Sequence, residues 1–277
     1  MKEEAKTFLE NLIEKASYGG SAFKRNVLKE YLQILALDFI YSSEKYNRLI
    51  FYGGSCLSHC FGLPRMSEDL DFVDAEKRTE ISRLAKDLEK YFRDGTDLTV
   101  KAVIQKFRIY IKFPMLHELK IADRSESDLL FLKVEIFKHF DFCKNYRMEI
   151  IPLFKFNKTV LVRTFDLPTL MATKIEAVLR RKWEKTDRRG RKVAFVKGRD
   201  YFDLMWYLEK GVKPNLKCLR GIEKLETLKK KLMEMAEKLD IKSVKNDLEP
   251  LIGDYNLVKN LSRNLKDILR RQIKNMK

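Results

Sequence analysis

The apolar residues of this chain change their period twice, and that change constrains the fold more than any single motif. Phe8, Leu9, Leu12 and Ile13, then Val27, Leu28, Tyr31, Leu32, Leu35 and Phe39, recur every three or four positions, the spacing of helices. Between residues 48 and 163 short runs take over. Residues 48–52 are mostly apolar and end in Gly53-Gly54, as a buried strand does on entering a tight turn. Residues 69–73 alternate like a half-buried strand, 98–104 and 108–113 pair as a hairpin, and 130–137 and 160–163 supply two more strands. One helix interrupts them at 81–92. After Pro168 the helical stripe returns at 169–183, 200–209, 222–239 and 256–273. Strands in the middle and helices at both ends predict an α+β protein: a mixed sheet flanked by helices, with a helical C-terminal part. We place the core at 1–165, N-terminal helices included, and a helical domain at 166–277.

With 277 residues, 45% of them hydrophobic, the chain can bury a sizeable core. Lys and Arg number 57 against 40 Asp and Glu, a net charge of +17, which points to a polyanionic partner such as nucleic acid or to phosphorylated small molecules. No apolar run reaches the roughly 18 residues of a membrane-spanning helix. The start, MKEEAKTFLENLIEK, is acidic where a secretory signal is basic and then apolar. We therefore expect a cytoplasmic protein with no membrane partner. Its four cysteines (Cys56, Cys60, Cys143, Cys218) form no CxxC pair, so reduced thiols are expected. Cys56, His59 and Cys60 resemble half of a metal site but no second pair completes it. Cys56 and Cys60 read better as the inward face of a short helix.

The densest signal for chemistry is 51–58, FYGGSCLS, followed by 65–72, RMSEDLDF. A strand enters a Gly-Gly turn and a helix starts at Ser55. Gly53 and Gly54 allow positive φ and a close approach of ligand to backbone, and the free N–H groups of a helix start favour phosphate. Fourteen positions on, Asp69 and Asp71 stand two apart on a strand, so both carboxylates share one face. Such a pair suits Mg²⁺ or Mn²⁺ held together with substrate phosphates. Glu135, on another strand, faces away from Val134 and Ile136 and is a candidate third carboxylate; an exposed strand glutamate is the plain alternative. Arg65 and Ser67 precede the acidic strand and are candidates for phosphate contact. Lys174 lies on the apolar stripe of its helix, where a lysine either snorkels or meets a negative partner.

These motifs resemble a known family. GGS followed by DLDF matches the signature of the DNA polymerase β-like nucleotidyltransferase superfamily. Adding GLPRMSEDLDF, LMATKIEAVLRR and KGRDYFDLMWYL, in that order, the stretch 45–210 is similar to the AbiEii/AbiGii toxin family. The resemblance implies a nucleotidyltransferase-type sheet in which Gly54 and Ser55 hold nucleotide phosphates, joined by Gly53, and Asp69 and Asp71 bind metal. It places the family's conserved lysine on Lys174 and its later acidic block on Asp200 and Asp203, leaving open which of the two is the functional acid. Asp200 could equally complement its helix dipole and Asp203 could pair with Arg199 on the surface. The implied activity is transfer of NMP from an NTP to an RNA, plausibly a tRNA 3′ end, by the toxin of a pair controlled by a cognate antitoxin.

The basic stretch 180–197 is then a candidate RNA contact through Arg180, Arg181, Arg188, Arg189 and Arg191, or a solvated linker. Two other classes remain open: a nucleotide- or RNA-binding module without transfer activity, and a transferase that modifies a protein hydroxyl.

Overall fold

The computed structural model describes residues 2–16, 19–140, 143, 145–181, 185–186, 192–194 and 197–277. It is α+β, with a seven-stranded mixed sheet and helices at both ends of the chain. The residues group into two compact units: Met1–Phe140 with Glu149–Thr164, and Asp141–Met148 with Phe165–Lys277.

The first unit opens with α1 (Glu3–Glu14) and α2 (Ser21–Ser42). Then come β1 (Ile50–Tyr52), α3 (Gly53–Phe61), β2 (Asp69–Val73), α4 (Ile81–Gly95), β3 (Lys101–Gln105), β4 (Arg108–Pro114) and β5 (Leu129–Phe137). β6 (Met148–Lys155) and β7 (Lys158–Phe165) complete the sheet, in the order β3-β4-β5-β2-β1-β7-β6. β2 runs parallel to β5 and β1 parallel to β7, whereas β1–β2, β3–β4 and β4–β5 are antiparallel.

Alternation along these strands separates two faces. Phe51, Leu70, Phe72, Ile109, Ile111, Phe113, Leu132, Val134 and Ile136 are all buried, each large side chain contributing about 1.5–3 kcal/mol on burial. The register pairs Arg108 with Glu135 and Glu135 with Asp71, so their side chains project together from the opposite face.

The second unit is helical: α5 (Leu167–Arg180), α6 (Gly198–Glu209), a short 3-10 turn at Leu216–Cys218, α7 (Leu225–Glu237), α8 (Ile241–Leu248) and α9 (Tyr255–Lys274). α5 starts where the sequence says it should. Asp166 caps it by accepting from the Thr169 N–H, and Pro168 sits in its first turn.

Several sequence expectations need correcting. α3 begins at Gly53, two residues before Ser55, because Gly53 takes φ +81° and turns the chain into the helix at once. β6 and α8 were not foreseen. β6 carries Pro152, which argues against a central strand and suits its place at the sheet's end. α8 has an apolar stripe of only Ile241, Val244 and Leu248. Within the basic stretch, β8 (Lys185–Thr186) pairs with β9 (Lys192–Ala194). Finally, Cys143 and Cys218 form a disulfide, their Cα atoms 4.2 Å apart across 75 residues of chain. Only the fold brings them together, so spacing along the chain gave no sign of it. Cys56 and Cys60 are free, Cys56 buried and Cys60 half-buried on α3. The Cys56 thiol lies 3.0 Å from the Thr164 hydroxyl.

Candidate active site

The first unit gathers the phosphate and acidic motifs around the β1–α3 turn. An added Cβ on Gly53 would stand 2.5 Å from the Asp71 Oδ2, and one on Gly54 would stand 2.8 Å from both Arg65 Nη2 and Ser67 Oγ. The two glycines therefore let one carboxylate, a buried guanidinium and a hydroxyl close on the start of α3. Arg65 is almost fully buried and donates from Nη1 to the Met66 carbonyl at 2.8 Å. The Ser55 hydroxyl donates to the Asp69 carbonyl, which ties the helix start to the acidic strand. Its role in the structure is thus to lock α3 onto β2.

A second tie runs through Gln33 of α2. Its amide donates to the Ser67 carbonyl at 2.9 Å, and its oxygen lies 2.9 Å from His59 Nε2. Burial pushes the His59 imidazole down to about 3, so at neutral pH the ring is an uncharged hydrogen-bonding partner.

Glycine at 53 makes a testable claim. Gly53→Ala forces an L side chain into positive φ and into the Asp71 carboxylate, at a cost of about 1–3 kcal/mol. A lower melting temperature together with impaired function is expected. An alanine variant as stable as the parent would show that the turn tolerates a side chain.

Across the sheet, Asp69 faces Lys133 and Asp71 faces Glu135 in β5. Lys133 Nζ lies 2.8 Å from Asp69 Oδ2 and 2.8 Å from Glu135 Oε1, and Arg108 Nε donates to the same Glu135 oxygen at 2.8 Å. Burial works against the Lys133 ammonium, but Asp69 and Glu135 more than offset it and raise its pKa above the ordinary lysine value. Two carboxylates on one strand face fit a hard divalent cation, which commonly takes one or two carboxylates and completes its shell with substrate phosphates and water. Among the described residues no three His, Cys, Asp or Glu groups are arranged to hold a metal ion; here Lys133 stands between Asp69 and Glu135. Lys133 was visible in the sequence as a face-mate of Glu135, but its second partner lies 64 residues earlier and only strand register reveals it.

The second unit gathers the other candidates. Lys174 neither snorkels nor stands alone. Its Nζ lies 2.9 Å from Asp200 Oδ1 and 2.7 Å from Asp203 Oδ2, and all three side chains are buried or nearly so. Asp203 is therefore a core residue held by Lys174 and not a surface carboxylate. Arg181 Nη1 adds a 2.8 Å contact to Asp200 Oδ2. Burial alone would push the Asp200 carboxyl up, yet Lys174 and Arg181 prevail and hold it well below the usual carboxylate range. Burial, with Arg199 and Arg181 nearby, lowers Lys197 to about 8. Arg180 pairs with Glu176 at 2.6 Å and donates to the Arg220 carbonyl. Arg188, Arg189 and Arg191 lie outside the described residues.

A strand running through a Gly-Gly turn into a helix, with a DxD strand beside it in a mixed sheet, defines a nucleotidyltransferase fold. The sequence matches the nucleotidyl transferase AbiEii toxin family of type IV toxin–antitoxin systems over residues 36–276, and the chain belongs to that family. Its fold is similar to that of MenT4, a nucleotidyltransferase toxin from Mycobacterium tuberculosis: TM-score 0.53 at 12% identity, covering 96% of this chain and 97% of that one. JHP933 from Helicobacter pylori aligns with TM-score 0.46 at 15% identity, over 90% and 94% of the two chains. No curated protein matches the sequence. Among the described residues no helix is long and apolar enough to cross a membrane.

Proposed function

We propose that this toxin is a metal-dependent nucleotidyltransferase that moves NMP from an NTP onto an RNA hydroxyl, with a tRNA 3′ end as acceptor. The observation that carries the reading is the shared face of Asp69, Asp71 and Glu135, set in register beside the Gly53-Gly54 helix start. Mg²⁺ or Mn²⁺ held by Asp69 and Asp71, with Glu135 as third carboxylate, would neutralise phosphate charge and align the acceptor hydroxyl. The N–H groups at the start of α3, with Arg65 and Ser67 beside them, would receive phosphate oxygens. In the step itself the acceptor oxygen bonds to the α-phosphorus, the bond to pyrophosphate breaks, and the hydroxyl proton leaves to solvent. Lys174, with Asp200 and Asp203, serves as the family's basic and acidic block. A modified tRNA end cannot be aminoacylated, which accounts for toxicity in the cytoplasm and for control by a cognate antitoxin.

Incubation with each labelled NTP, Mg²⁺ and total tRNA tests the reading, with label expected in RNA. Label in protein instead would identify a protein hydroxyl as acceptor, and none in either would leave a binding module.

The charge of +17 supports the RNA acceptor and gives a quantitative expectation. Each phosphate contact releases counterions, so affinity for tRNA falls linearly with salt on a log–log scale. Replacing Arg188, Arg189 and Arg191 with alanine should flatten that slope by about 2–3 and leave NTP binding intact. Affinity indifferent to salt and to the triple substitution would exclude this stretch as the RNA contact.

A further inference from the structure

The position of Lys133 has a meaning of its own. Its ammonium is half-buried and touches one oxygen from each of two strands: Asp69 Oδ2 of β2 and Glu135 Oε1 of β5, both at 2.8 Å. A cation bridging two carboxylates in this way does what a divalent ion between the same oxygens would do: it cancels their mutual repulsion and fixes their spacing. The two cannot do so together. Magnesium–oxygen contacts of about 2.0–2.1 Å would set the ion on the very oxygens that Lys133 holds, and two cations on the same oxygens repel.

We propose that Lys133 is an internal counter-cation that fills the bridge between Asp69 and Glu135 in the metal-free protein and must withdraw for a divalent ion to bind there. The inference rests on the reading of Asp69 and Glu135 as metal ligands, and it adds the residue that opposes them. Its four-carbon stem gives the ammonium room to swing without moving β5. Metal binding is thereby made weak on its own, because the ion must break two ion pairs before it makes its contacts. A triphosphate arriving with the ion would offer the displaced ammonium a new anion, so metal and nucleotide would favour each other's binding.

Mn²⁺ titration in the absence of nucleotide, followed by the electron paramagnetic resonance signal of free Mn²⁺, tests the first half. Lys133→Met should bind Mn²⁺ at least about tenfold more tightly than the parent, one factor of ten being 1.4 kcal/mol. Lys133→Gln, closer in shape and polarity, should do the same and guards against a variant that fails to fold. Selective acetylation of surface amines by an N-hydroxysuccinimide ester, read by mass spectrometry, tests the second half. In the parent, saturating Mn²⁺ should raise the labelling rate of Lys133 severalfold; in Asp69→Asn it should not. Mn²⁺ affinity unchanged, weakened or undetectable in both variants overturns the proposal. So does tighter binding with Lys133 labelling indifferent to Mn²⁺, since the lysine would then act only through its field. Neither measurement depends on nucleotide transfer, so failure of the transfer reading and failure of the Lys133 proposal are told apart.

Discussion

Asp71→Asn is expected to lose about 10³-fold in transfer rate, the equivalent of ~4 kcal/mol of charge stabilisation, while its melting temperature stays close to that of the parent. The substitution removes a charge and almost no volume, and the buried neighbours Leu70 and Phe72 keep β2 in place. Asp69→Asn should lose a similar factor and also loosen Lys133, whose ammonium lies 2.8 Å from Asp69 Oδ2. Initial rates with saturating NTP and tRNA, alongside thermal melts, check both. Turnover near the parental value in either variant would remove that carboxylate from the metal site.

Lys174→Ala carries the largest expected loss of stability. It takes from Asp203 the ammonium 2.7 Å away while leaving that carboxylate wholly buried, and takes from Asp200 the ammonium 2.9 Å away. Breaking a buried pair from one side costs about 3–5 kcal/mol, whereas replacing both partners with apolar groups is often neutral. Urea unfolding should show the loss in Lys174→Ala and its recovery, in large part, in Lys174→Met/Asp203→Leu. On the proposed reading, in which Lys174 contacts substrate, the rate should not recover with it, since one such electrostatic contact is worth about 10²–10³ in turnover. If the double variant regains both stability and turnover, the lysine is a core residue alone.

The two groups of residues behind these predictions were legible to different degrees. Strand positions that alternate, such as Asp69–Val73 and Leu129–Phe137, declare both their structure and their faces, because one side is uniformly apolar and the other carries the charged residues. Strand order declares nothing in advance. That Asp71 faces Glu135 follows from β2 and β5 lying side by side and parallel, a fact about pairing between segments 64 residues apart. Lys174, by sitting in an apolar stripe, announced that it either snorkels or meets an anion. Its partners on α6 could be named from the resemblance, but their burial could not, since a short polar run after a basic stretch looks the same whether solvated or enclosed. Cys143 and Cys218 were misread for the same reason.

β6 closes one end of the sheet, and its side chains Ile150 and Phe154, together with Leu161 of β7, are 61%, 72% and 63% exposed. The chain carries a net charge of +17, and like charge keeps copies of such a molecule apart in dilute buffer. Concentrated salt, the usual means of stripping bound nucleic acid during purification, shrinks the range of that repulsion to a few ångströms and does nothing to weaken attraction between apolar strands at a sheet margin. Under the proposed RNA reading, handling therefore faces opposed demands: the salt that strips RNA is also the condition expected to favour association at this sheet margin.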